Sequence, residues 1–69
     1  MKINIQIVDK KTGIYQYGTI DEPVKNGLEI ENALAYFGVQ YGNIDWKFTN
    51  DTFKCGNIQG TSKVVVIIK

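Results

Sequence analysis

Any catalysis in this chain would have to come from a short inventory of side chains. Cys55 is the only cysteine, Ser62 the only serine, and histidine is absent from the 69 residues. No Ser-His-Asp or Cys-His set can be assembled, and no imidazole is at hand to activate the thiol. The same shortage rules out, within one chain, the common tetrahedral zinc sites and the ligation of haem or an iron–sulfur cluster. Asp21-Glu22 and Glu29/Glu31 are local carboxylate pairs that read as helix-entry and solvated-face residues, because acids near a helix N-terminus are favoured by its dipole. Gly56-Asn57-Ile58-Gln59-Gly60 lacks both the Lys-Ser/Thr ending of a phosphate loop and the spacing of a dinucleotide turn, so it is a glycine-rich bend. Asn50-Asp51 is too short for a calcium loop, which needs oxygen ligands at alternate positions and a distal Glu. The expectation is a protein that is not an enzyme, has no cofactor and no metal, and works by binding.

Composition narrows what it binds. All eight basic residues are lysine; against seven acids the net charge is +1, which gives no general attraction to nucleic acid. The charge is unevenly spread, with one Lys against four acids over residues 26–52 and three Lys without an acid over 53–69. Lysine, isoleucine and asparagine in place of arginine fit A/T-rich codons and point to a low-GC bacterium, its phage or another mobile element. Cys55 alone cannot form an internal disulfide, which suits a reducing compartment, and it reads as a small buried or half-buried apolar residue. The N-terminal residues alternate apolar with polar and lack the h-region of a signal peptide. Val64 to Ile68 is the longest apolar run, far below the ~20 residues of a membrane helix. A cytoplasmic protein with no membrane partner is expected. At this length a single domain with one modest core is expected, a size at which a second subunit is the remaining support once disulfide and metal are excluded.

The elements that would position a binding surface follow from periodicity. Ile3-Asn4-Ile5-Gln6-Ile7-Val8 alternates strictly and predicts a half-buried strand. Asp9 to Gly13 is a polar turn, and Ile14 to Ile20 resumes as the second strand of an antiparallel hairpin. Either Tyr15, Tyr17 and Thr19 point outward or Ile14, Gln16 and Ile20 do. Pro23 breaks the strand. Asn26-Gly27-Leu28-Glu29 has the logic of a capping box, followed by a helix over about 27–37 with Ile30, Ala33, Leu34 and Phe37 as its apolar stripe and Glu29 and Asn32 outside. A start at Pro23 would put Gly27 inside the helix at up to ~1 kcal/mol. Gly38 is placed as the left-handed cap. Ile44, Trp46 and Phe48 alternate in a third strand, Phe53 to Ile58 forms a short, Gly56-weakened fourth, and Lys63 to Lys69, apolar on both faces, suits a central strand.

This order, ββαβ(β)β, predicts an α+β domain over residues 1–69: a mixed sheet with the terminal strands paired in parallel at its centre and one helix across one face. The arrangement resembles the β-grasp fold of ubiquitin-like domains. Ala35-Tyr36-Phe37 through Asp45-Trp46-Lys47-Phe48 and Asn50-Asp51 also looks like the second half of the immunoglobulin-binding domains of streptococcal protein G. The resemblance implies a fold and no activity. The chain ends Ile67-Ile68-Lys69, without the Gly-Gly that conjugated and sulfur-carrying relatives need, and it lacks the cysteines of β-grasp ferredoxins.

With Ile3, Ile5, Ile7, Trp46, Phe48, Val64, Val66 and Ile68 toward the helix, parity sends Asn4, Gln6, Val8, Lys47, Val65 and Ile67 to the other side, joined by Tyr15 and Tyr17 in the first of the two orientations of the second strand. Lys2, Lys47, Lys63 and Lys69 would rim Val65 and Ile67, an apolar patch of the kind interfaces use. The partner-binding residues expected from sequence are therefore Tyr15, Tyr17, Lys47, Lys63, Val65 and Ile67. Three roles fit. The first is a protein-binding modulator, such as a phage or mobile-element inhibitor of a host enzyme or defence complex, acting through the open face or an edge strand. The second is a single-stranded nucleic-acid binder using Tyr and Lys. The third is a homodimeric assembly protein.

Overall fold

The computed structural model describes residues 2–22 and 28–69. Five strands and one helix follow each other as β1 (Lys2–Asp9), β2 (Tyr15–Asp21), α1 (Glu29–Ala35), β3 (Ile44–Thr49), β4 (Phe53–Ile58) and β5 (Lys63–Ile68), with a 3-10 turn at Tyr41–Asn43 before β3.

Short polar segments decide where each strand reverses. In the first hairpin the Asp9 carboxylate accepts the amides of Lys11 (2.9 Å) and Thr12 (3.4 Å), an Asx-type turn, while Gly13 takes a φ of 76° that a side chain would oppose. Asn50 repeats the device between β3 and β4, its side-chain oxygen accepting the amides of Thr52 and Phe53. Helix α1 ends in a Schellman motif, in which the Val39 amide donates to the Leu34 carbonyl and the Gly38 amide to that of Ala35, with Gly38 at φ 71°. The expected left-handed cap is thus at Gly38. At the other end the helix starts at Glu29, with Leu28 before it and no side-chain cap; the Asn26 and Gly27 of the expected capping box, and Pro23, lie outside the described residues.

The strands make one sheet in the order β2-β1-β5-β4-β3, and every neighbouring pair is antiparallel. The expected mixed sheet with a parallel central pair is therefore corrected: β1 and β5 are adjacent at the centre but run in opposite directions. Segment 53–58, weak in the sequence, is a full strand inserted between β3 and β5. Each hairpin reverses the chain, and this additional reversal brings β5 in antiparallel to β1. What holds is the coarser expectation of a small α+β domain with one helix on a sheet.

The direction of β5 also fixes its parity. Partners directly opposite in an antiparallel pair share a face, and Ile5 faces Ile67 while Ile7 faces Val65. The core consists of Ile3, Ile5 and Ile7 from β1, Val65 and Ile67 from β5, Ile44 from β3, and Ile30, Ala33 and Leu34 from the helix. Ile20, Phe37, Val39, Trp46 and Ile58 pack around it. Phe37 fastens the helix to the edge of the sheet: a Cβ on Gly18 would lie 2.7 Å from its ring, so the ring occupies the space above that glycine. Glu29, expected in solvent, is buried, as is Glu22. Oε2 of Glu29 has no hydrogen-bond partner among the described residues.

Candidate partner-binding face

The side of the sheet away from the helix is built, row by row, from the remaining parity. One row runs Tyr15, Val8, Val64, Asn57 and Asp45; the next Tyr17, Gln6, Val66, Cys55 and Phe48; a third Thr19, Asn4, Ile68 and Phe53. Tyr15, Tyr17 and Phe48 are 55%, 54% and 53% exposed, and Ile68 is exposed too. Val8, Val64, Val66, Cys55 and Phe53 are half-buried, as expected for neighbours shading one another on a flat surface.

Aromatic side chains stand at both flanks. On β2 the rings of Tyr15 and Tyr17 lie 6.4 Å apart and near-parallel, and the Tyr17 hydroxyl and Thr19 hydroxyl both donate to the Asn4 side-chain oxygen. On the far side Phe48 and Phe53 meet edge to face at 5.7 Å. Phe48 reaches this face through a bulge. The register shifts between Trp46 and Phe48, so Trp46 opposes Gly56 on the core side and Phe48 opposes Cys55 on the open side. One inserted residue thereby breaks the alternation on which the sequence placed both aromatics toward the helix.

Charge is confined to the corners. Lys2 lies opposite Asp21 at one end of the outer hairpin, and Asp45 at the opposite corner holds Lys47 at 2.8 Å. No charged residue occupies the positions between them in the three rows. Depletion of charge at the centre of an aromatic-rich patch is the compositional mark of a protein interface. Five strands at ~4.8 Å spacing and about six residues of ~3.3 Å each give the face on the order of 400 Å².

The six residues singled out by sequence separate on this framework. Tyr15 and Tyr17 lie on the open face, which settles the orientation of the second strand. Lys47 is the bulge residue, bonded to Asp45. Val65 and Ile67 are corrected: at 0% and 1% exposure they are core residues beneath the helix. Val64, Val66 and Ile68 take the places expected for them, because the antiparallel register with β1 exchanges the two faces of β5. Lys63 shares the parity of Val65 and stands beside Asp9, Ile7, Ile14 and Gln16 around a shallow cleft at the end of the sheet away from Asp21. The lysine rim is thus not a ring around an apolar centre. Phe48, Phe53, Val64, Val66 and Ile68 are the face residues that sequence reasoning missed, and the apolar run on both parities of β5 was the signal for three of them.

Ser62 donates to the Asp9 carboxylate at 2.6 Å, linking the first hairpin to the β4–β5 turn. That bond first, then the amides of Lys11 and Thr12 and the nearby Lys63 charge, hold the Asp9 carboxyl below its ordinary value of 3.8. These contacts account for its perturbation as a turn constraint. Among the described residues no group of His, Cys, Asp and Glu side chains could hold a metal ion, and no helix is long and apolar enough to cross a membrane. In comparisons with known proteins, no family model, curated protein or solved structure matches the chain.

Proposed function

We propose that the protein is a non-catalytic protein-binding modulator that presents the open face of its sheet to a protein partner. The observation that carries this reading is the uncharged, aromatic-flanked surface running from Tyr15 and Tyr17 across Val64 and Val66 to Phe48 and Phe53. Water contact with such a surface is costly at about 25 cal/mol per Å² of apolar area, so an occupant that removes it from solvent gains affinity without an ion pair. Inhibition of a host enzyme or defence complex by a phage or mobile-element product is the finer form of this proposal, supported by size and codon-linked composition alone.

The test is affinity capture from a low-GC bacterial lysate with wild type, Val66→Lys and Phe48→Lys, each with and without nuclease. A stoichiometric protein held by wild type, released by both variants and indifferent to nuclease is the expected result. Cys55 supplies a second readout, because it lies between Val66 and Phe48 in the middle row; a bound partner should slow its reaction with a maleimide. Retention of the same partner by both variants would show that the face is not the site. Loss of all captured material with nuclease would favour single-stranded nucleic acid, for which the paired Tyr15 and Tyr17 rings offer a stacking platform.

A further inference from the structure

The sheet has two edges, and they are built differently. β3 carries the devices by which natural sheets discourage unwanted pairing: a bulge between Trp46 and Phe48, with the charged Lys47 as its inserted residue and its ion-pair partner Asp45 just before it. β2 carries none of them. Its seven residues, Tyr15-Gln16-Tyr17-Gly18-Thr19-Ile20-Asp21, pair with β1 in unbroken register and contain no proline, no lysine and no charge before the terminal Asp21. Among the described residues no strand lies on its outer side.

The direction of its outward backbone groups follows from the hairpin. The Asp9 amide donates to the Ile14 carbonyl at 2.8 Å, which makes Asp9 and Ile14 a hydrogen-bonded pair. Such pairs alternate along an antiparallel ladder, so Gln16, Gly18 and Ile20 bond inward to β1 while Tyr15, Tyr17 and Thr19 turn their backbone groups outward. We propose that this edge is a homodimer interface, at which β2 pairs antiparallel with β2 of a second copy about a two-fold axis at Gly18.

The segment is self-complementary in that register. Tyr17 would stand opposite Thr19 of the second copy in a hydrogen-bonded pair, and Gly18 opposite its own counterpart in the closer, non-hydrogen-bonded kind, where no side chain obstructs the approach. Phe37 already covers Gly18 on the helix side, so its ring and the second copy's would meet there and continue the apolar layer across the junction. The Asp21 carboxylates fall at opposite ends of the ladder, and a net charge of +1 per chain offers little repulsion. A single domain of this size, with one cysteine and a seven-residue helix, also stands to gain from a second subunit. Pairing at the edge leaves the open face uncovered, so this inference does not rest on the function proposed for that face.

Amide exchange by NMR on the wild-type chain, from about 10 µM to about 1 mM, tests it alongside sedimentation, because a self-associating system tightens with concentration. The expected result is a dimer in which the Tyr17 and Thr19 amides slow at least ~10-fold as it forms while Cys55 stays reactive to maleimide. Thr19→Pro removes an outward N–H without touching the β1 ladder and should give a folded monomer. Three results would overturn the proposal: a monomer at every concentration, a dimer whose Tyr17 and Thr19 amides still exchange freely, or a dimer that shields Cys55. The last would identify the open face as the self-contact.

Discussion

Val65 and Val66 are adjacent in sequence and chemically identical, yet the sheet gives them opposite duties. Val65 is sealed under the helix and Val66 lies half-buried on the open face. Lysine at 65 would place a charge in the core, whereas at 66 it meets solvent. We expect Val65→Lys to abolish the cooperative urea transition, and Val66→Lys to shift it by less than about 1 kcal/mol. Equal effects of the two substitutions would mean that the parity of β5 is not the one described. Truncation of Ile67 to Ala, also in the core, should cost about 2–5 kcal/mol in the same measurement. Asp9 makes a prediction in pH. Its carboxyl is held below the ordinary value, chiefly by Ser62, so the folded state binds that proton less readily than the unfolded chain. The resulting stabilisation is present above pH 3.8 and is lost as pH falls through the lowered folded value. Ser62→Ala should move the Asp9 carboxyl resonance midpoint upward in an NMR titration and flatten the acid limb of the stability curve; an unchanged midpoint would remove the hydroxyl as the cause.

At the scale of elements, the bulge in β3 separates two jobs that strict alternation would have joined. It lets Trp46 cover Gly56 on the core side, with Tyr41 packed at 5.4 Å against the indole, while Phe48 joins Phe53 outside. Deleting Lys47 should leave the register of Trp46 and Phe48 with β4 intact and yield a flatter, less charged edge. Light scattering over a concentration series is expected to reveal species larger than the dimer proposed for wild type, because the β3 edge is then also free to pair; a deletion variant that grows no larger than wild type would mean the bulge serves shape alone. This element also marks where sequence reasoning stopped. Four of the five strands were legible from alternation, Gly and Asn turns, and β-branched runs, and the helix from its stripe, with Gly38 as its end, while Phe53–Ile58 was legible only as an optional strand. Strand direction was not, because it depended on whether the weak segment 53–58 formed a strand. The sides of Lys63–Ile68 were not legible either, since a run apolar on both parities carries no alternation to orient it. The side of Tyr15 and Tyr17 was open in the sequence, because the hairpin loop allows two registers, and it follows only from their pairing with Val8 and Gln6 of β1.

At the scale of the whole molecule, the described residues form a sheet with one covered side, one bare side, one guarded edge and one open edge. A partner on the bare side and a second copy at the β2 edge occupy different surfaces, so a four-chain assembly, a dimer with one partner on each open face, is geometrically allowed. The forces at the face also predict how its binding responds to salt. The interior of the face lacks charge, and Asp45 and Lys47 at the corner already satisfy each other. Coulomb attraction over a Debye length of ~8 Å at physiological ionic strength therefore contributes little, and burial of apolar area carries the affinity. Partner binding measured by calorimetry should have a negative heat-capacity change and alter by less than about threefold between 50 mM and 500 mM NaCl. A phosphate-dominated contact behaves differently, losing roughly a thousandfold or more when several phosphates are neutralised. A steep loss with salt would therefore show that phosphate contacts, and not burial of Val64, Val66 and Phe48, carry the affinity, and would favour the nucleic-acid reading that uses the Tyr15 and Tyr17 rings.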